Sequence, residues 1–363
     1  MQEVNLTINK LPTRTWRWLG LNASQVQNIK QAADGSCKPQ VKLAGEGLVV
    51  QHLAQGTLDY LDTGVGSDMN KLAADDAHIN KVLHLHASGC EQDKAQQATL
   101  NFNYADGKSC LDKIEIYAEA GSNMTVLMNA ASDAAAGGMA AVQTRVYAAA
   151  GARVRLIQVQ LLGNGFTHFN DIGCAVEDKA SVEVMQLELG GKAVYSGALA
   201  DLTGAASSFK VETGYYGRGS QLLDMNYVAL HRGKKSTSYL AADGVLKDEA
   251  SKLYRATIDF KTGSAGSVGE EQESVLLLND GVVNQTIPLI LCSEEDVQGN
   301  HGASIGRLDE DLLFYLMSRG FSKDEAVNMM ARAKIEALCR KIDDEKVVEQ
   351  IQKYVEEVVQ HAE

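Results

Sequence analysis

The chain reads as mainly β, a stack of strand units of the parallel β-helix kind that gives way to α-helices at its C-terminal end. Three observations carry that reading: a short phrase recurs along the middle of the chain, proline is nearly absent, and the texture changes at Asp309. The phrase is a small-residue group, a polar or glycine turn, then an alternating strand. Its clearest copies are residues 118–126, 148–156 and 176–184, with 202–211 a looser fourth, and their ends lie 30, 28 and 27 residues apart. A step of this size marks stacked units, none of which buries its apolar face without a neighbour. Units made only of strands and short turns favour a parallel β-helix, with a β-sandwich or jelly roll as the alternative that periodicity leaves open. Only 3 prolines in 363 residues suit continuous ladders, in which every backbone N–H is needed.

Taken in order, residues 1–36 form an N-terminal arm. Its segment 11–19 holds both tryptophans, Trp16 and Trp18, and reads as an amphipathic stretch that clamps onto something apolar. Residues 37–293 form the β-helix core, with alternating runs such as Lys81-Val-Leu-His-Leu-His86 and Ile114-Glu-Ile-Tyr117 punctuated by Gly, Asp, Asn and Ser. Residues 294–363 form the helical region. From Asp309 an acidic start, a basic penultimate residue and a closing Gly320 have helix-end chemistry. Ser322-Lys-Asp-Glu325 is a capping box that opens a helix running towards Arg340. After Asp344 a third helix carries Val347, Val348, Ile351, Tyr354, Val355, Val358 and Val359 in one stripe, to be covered by the chain's own core or by a partner.

Composition excludes several classes. The 34 Lys and Arg against 47 Asp and Glu give a net charge of -13, which argues against a generic binder of nucleic acid or anionic membranes. No apolar run approaches the roughly 20 residues that span a bilayer. The first ten residues lack a basic cluster followed by an apolar core, so the expected setting is the cytoplasm. The six cysteines are 20 or more residues apart and form no C-x-x-C pair, so they read as reduced core thiols and not as a zinc or redox motif.

The candidate chemistry is sparse. His84 and His86 share a strand face with Cys90 close behind, but no further ligand has metal-site spacing. Gly214-Tyr-Tyr-Gly-Arg-Gly219 and Gly64-Val-Gly66 lack the Lys-Ser/Thr of a phosphate loop and read as β-turns. His301 sits in a small-residue stretch, Gln298-Gly-Asn-His-Gly-Ala-Ser-Ile-Gly306, where glycines permit close approach of a partner. A histidine there suits iron ligation, proton transfer or a loop hydrogen bond. No catalytic constellation emerges, so a scaffold outranks an enzyme. The alternative is a β-helix polysaccharide-active enzyme, disfavoured by an aromatic content of 6% and no visible export signal.

The stretch from Asp296 to Gly320 resembles the C-terminal signature of the SufB/SufD family of iron–sulfur cluster assembly proteins. Leu11-Pro-Thr-Arg-Thr-Trp16, Glu188-Leu-Gly-Gly191, Gly244-Val-Leu-Lys-Asp-Glu-Ala250 and Leu276-Leu-Leu-Asn-Asp280 agree with it in order. The resemblance implies a right-handed parallel β-helix with a C-terminal helical region. It also implies pairing of a SufB-type and a SufD-type chain through their β-helices, and a SufC-type ATPase docked on the helical end through Leu312, Phe314, Tyr315, Leu316 and Arg319. An isolated chain would be expected to form a homodimer through the same edge. The cargo is a nascent iron–sulfur cluster, with flavin (FAD) belonging to the complex and no cofactor held by this chain alone. Gly302 after the histidine, and Val282 where the SufB cysteine falls when aligned on Pro288, point to the SufD type. His301 then matches the histidine of the SufB interface and becomes the expected cluster-assembly and metal-contacting residue. Many SufD chains carry Lys-Cys-Ser ahead of that histidine where this one has Gln298-Gly-Asn300. The family's strand-end glutamate aligns with Leu291, which leaves Cys292 offset and without an assigned role.

Overall fold

The computed structural model describes residues 2–15, 19–74, 82–89, 96–307, 310–342 and 344–360. The first strand, β1 (Glu3–Ile8), pairs antiparallel with β2 (Ser24–Lys30). All later strands fall into two nine-stranded sheets. One holds β3 (Gln40–Ala44), β6 (Gln96–Asn103), β8 (Asn123–Ala131), β10 (Arg153–Leu161), β12 (Ser181–Glu188), β14 (Ser208–Gly217), β16 (Thr237–Leu246), β18 (Ser267–Leu277) and β20 (Val297–Arg307). The other holds β4 (Leu48–Leu53), β5 (Val82–Ala87), β7 (Ser109–Ala118), β9 (Gly137–Ala148), β11 (Gly165–Val176), β13 (Ala193–Leu202), β15 (Leu222–His231), β17 (Ser251–Phe260) and β19 (Val283–Cys292). The chain alternates between the sheets, so the fold is a β-solenoid of about eight turns. Within the two large sheets all pairings are parallel except β3 with β6 and β4 with β5, where the chain doubles back at the N-terminal end.

The repeating phrase of the sequence is the register of this solenoid. Val126 pairs with Leu156, Leu156 with Val184 and Val184 with Val211, the four residues that close the repeated phrase. The column starts from Ala98 and continues through Leu240, and all six side chains lie fully buried in the lumen between the sheets. In-register side chains of parallel strands point to the same face, about 4.8 Å apart, so one aliphatic position per turn builds a continuous core. The column then changes character, because Leu240 pairs with Glu271 and Glu271 with His301.

Outside the lumen each sheet is covered. The β1–β2 hairpin lays Leu6, Ile8 and Val26 against Leu111, Met139 and Phe169. It is pinned by polar bonds: Asn9 Nδ2 donates to Asp224 Oδ1 at 2.8 Å, Arg255 pairs with the same oxygen at 2.5 Å, and Arg255 Nε donates to the Leu21 carbonyl at 2.9 Å. The N-terminal arm is thus a hairpin bound to the solenoid wall. Of its segment 11–19, Leu11 is buried, while Trp16 and Trp18 lie outside the described residues. The Gly64-Val-Gly66 stretch packs main chain to main chain on the same sheet. A Cβ on Gly64 would lie 2.1 Å from the Ala198 amide nitrogen, so only glycine fits.

Two expectations need correction. Residues 297–307, placed in the helical region, are a strand, and helix begins at Glu310, beside the expected start at Asp309. The strand forms because β18 offers a parallel edge, and pairing with it outweighs the low strand preference of Gly and Asn. Gly214 likewise lies inside β14 and not in a turn. Three helices follow: α1 (Glu310–Ser318), α2 (Lys323–Cys339) and α3 (Glu345–Gln360). Ser322 caps α2 reciprocally with Glu325, as the capping box requires. Up to Val355 the stripe of α3 is covered by the chain itself: Val347, Ile351 and Val355, with Ala331 and Ile335 of α2, pack on Ile157, Met185 and Leu187, while the side chains of Val358 and Val359 lie outside those described.

Leu156→Ala empties a lumen position fully enclosed by the turns above and below, and should cost about 2–5 kcal/mol of stability. Urea unfolding checks this; an unchanged midpoint would mean that the column is not packed as described.

Candidate functional site

The last turn, β19 and β20, ends the stack with both outer strand edges unpaired. Residues 298–305 are all exposed. Pro288 sits in β19, where an edge strand tolerates the missing N–H. His301 is in the middle of β20, paired through its backbone with β18, with a solvent-exposed imidazole that has no side-chain hydrogen bond among the described residues. Its register neighbour Glu271, one turn below, is only 3% exposed, and neither carboxylate oxygen has a hydrogen-bond partner. Burial pushes this carboxyl up to about 9, so it is neutral at ordinary pH.

The other lumen acid of β18 is treated differently. Glu273 pairs with the buried Lys252 and accepts a 2.5 Å hydrogen bond from Thr286 Oγ1, while Lys252 Nζ also donates to Thr286 Oγ1 at 3.1 Å. Two lumen carboxyls on one strand therefore have opposite surroundings, one fully paired and one orphaned beneath the exposed histidine.

Cys292, at the end of β19, is exposed and its thiol donates to the Glu294 carbonyl at 3.0 Å. No hydrogen bond joins it to His301, and no group of three or more His, Cys, Asp and Glu side chains among the described residues is arranged to hold a metal ion. His84 and His86 do share a face, and each has a carboxylate partner: His84 Nδ1 is 3.1 Å from Glu115 and His86 Nε2 is 2.8 Å from Glu119. Glu115 also accepts from Thr57 Oγ1 and the Leu58 amide, so this pair fastens a surface loop. His84 is buried and not half-exposed as its strand position suggests, because that loop covers it. Cys90 lies outside the described residues.

The second surface is α1, which has no buried residue. Phe314 is 74% exposed, Leu312 and Tyr315 are also exposed, Leu316 is half-buried, and the Arg319 guanidinium lies 5.1 Å from the centre of the Tyr315 ring. Met317 and Phe321 extend the apolar patch. Both were missed in the sequence, although the three-residue spacing of Met317 from Phe314 is a helical signal. Glu271 was missed as well. Its signal was the repeat step carried past 211 through 240 to 271 and 301.

Residues 101–334 match the family profile described as "SUF system FeS cluster assembly, SufBD core domain". The chain is 31% identical over 159 residues to the "Iron-sulfur cluster assembly protein SufD" of Bacillus subtilis, a match covering 44% of this chain and 36% of that protein. It is 26% identical over 198 residues to a SufBD family protein of Mycobacterium leprae, covering 54% of this chain and 23% of that one. A SufBD family protein of Staphylococcus saprophyticus is 25% identical over 199 residues, covering 54% and 43%. The chain thus spans less than half the length of each of these relatives. No helix among the described residues is long and apolar enough to cross a membrane.

The orphaned carboxyl has a pH signature. Glu271 binds its proton up to about pH 9 in the fold but releases it near 4.5 when unfolded. Its contribution to stability is therefore complete below the lower value and is lost as pH rises towards the upper one. Glu271→Gln removes that slope, so the variant's denaturation midpoint should gain on the parent's steadily as pH rises across this window. Parallel profiles would show that the carboxyl is not buried unpaired.

Proposed function

The chain belongs to the SufBD core family of the SUF iron–sulfur cluster assembly system, and on that premise we propose that it is a SufD-type scaffold subunit, pairing with a SufB-type paralogue and docking a SufC-type ATPase. The observation that carries this is the open last turn. A solenoid end with two unpaired parallel edges invites strand addition unless something covers it, and here it bears an exposed histidine at its centre. A partner solenoid set against β19 and β20 would satisfy those edges and place its own donors over His301. The nascent cluster is the cargo: His301 offers it one imidazole nitrogen, and thiolate or further imidazole donors come from the partner face. The chain acts as a scaffold and has no chemistry of its own to perform.

The apolar face of α1 supports the second contact. Exposed Phe314, Tyr315 and Met317 on this short helix, with exposed Phe321 just after it, are large apolar side chains of the kind that mark a protein interface, and Arg319 stands beside Tyr315. Helices α2 and α3 spend their own apolar stripes on the solenoid wall, which leaves α1 as the docking element.

Co-expression with SufB-type and SufC-type partners should give one complex on sizing. Phe314→Glu should release the ATPase while the SufB-type chain stays bound. His301→Ala should lower the rate of cluster assembly by about tenfold or more, with complex mass and thermal unfolding unchanged. A chain that elutes alone, or only with a second copy of itself, would overturn the reading.

A further inference from the structure

The lumen column beneath His301 is aliphatic in every turn up to Leu240 and then becomes Glu271. An unpaired buried carboxyl destabilises the fold relative to a well-packed aliphatic side chain. The lumen can supply partners at this depth, since Glu273 two residues along is paired with Lys252 and Thr286. Glu271 has none: both oxygens are unpartnered at 3% exposure, with only the main chain at Ile258 and Leu289 close by. The adjacent same-face position is His301, about 4.8 Å along the sheet, its imidazole equally without a side-chain hydrogen bond among the described residues. Two unsatisfied polar groups in register, one sealed and one at the mouth, break the pattern that the preceding turns obey. Such breaks concentrate at functional positions.

We propose that Glu271 is the positioning residue of His301. With a side-chain rotation that this register permits, its carboxyl accepts an imidazole N–H, which fixes one tautomer and leaves the other ring nitrogen's lone pair free for a ligand. A carboxyl keeps an acceptor oxygen whether protonated or ionised, so the arrangement does not depend on its charge. Histidines that bind metals are commonly oriented in this way by a carboxylate on the far nitrogen. The purpose rests on the reading of His301 as the imidazole offered to the cluster; the tautomer itself does not.

The test is two-bond 1H–15N correlation of the imidazole nitrogens in the full-length, 15N-histidine-labelled chain, with His301 assigned from His301→Asn. The parent should show His301 in one tautomer. Glu271→Gln, whose amide carbonyl still accepts, should retain it. Glu271→Leu, which restores the aliphatic column, should melt higher and show the mixed tautomers of free imidazole. In the assembled complex it should also lower cluster assembly about tenfold. Identical tautomer populations in parent and Glu271→Leu would overturn the proposal, whatever the assembly rate. A tautomer change together with full assembly by His301→Ala would uphold the positioning role and overturn the cluster reading instead.

Discussion

Register between successive turns is the constraint on which the rest of this molecule depends. In a parallel ladder each residue stands over its counterpart one turn below, so a single insertion would transfer a lumen side chain to the outer wall. The pairing Val126–Leu156–Val184–Val211 shows how closely the sequence observes this rule. Because the lumen is packed turn by turn, the outer faces are free to take other elements: a hairpin on one sheet and two helices on the other. The ladder's last turn is the one position where this sealing fails.

At that position the same rule works in reverse. Every interior turn is sealed by two neighbours, but β19 and β20 have only one each. Side chains that would be lumen residues elsewhere become surface residues there, which is how His301 is exposed while occupying a core register. The site is built without a loop. A rigid sheet edge holds the imidazole more firmly than a flexible connection would.

Much of this was legible in the residues. The repeat step identified the true lumen column, and the Ser322–Glu325 box and the α3 stripe correctly placed two helices. What was hidden had physical reasons. β20 is rich in Gly, Asn and Ser and takes its strand form from the edge of β18, a tertiary effect that no local pattern reports. The hairpin β1–β2 spans a long connection and is held by Asp224 and Arg255, residues some 200 positions away. Glu271 was invisible because Leu-versus-Glu in one column is noticed only once the turns are aligned. For the same reason His301 was singled out by its small-residue setting and given a role by resemblance, while its lumen register went unseen.

The doubled-back strands β3 and β4 give the stack a polarity. At the N-terminal end they run antiparallel to the strands they cover, whereas β19 and β20 continue the parallel order to the last residue of the ladder. Head-to-tail growth would need matching parallel edges at both ends, and a contact that repeats in that way gives a filament. Among the described residues only one end carries such edges. Two solenoids set end to end there would occupy both edges and leave no parallel edge for a third.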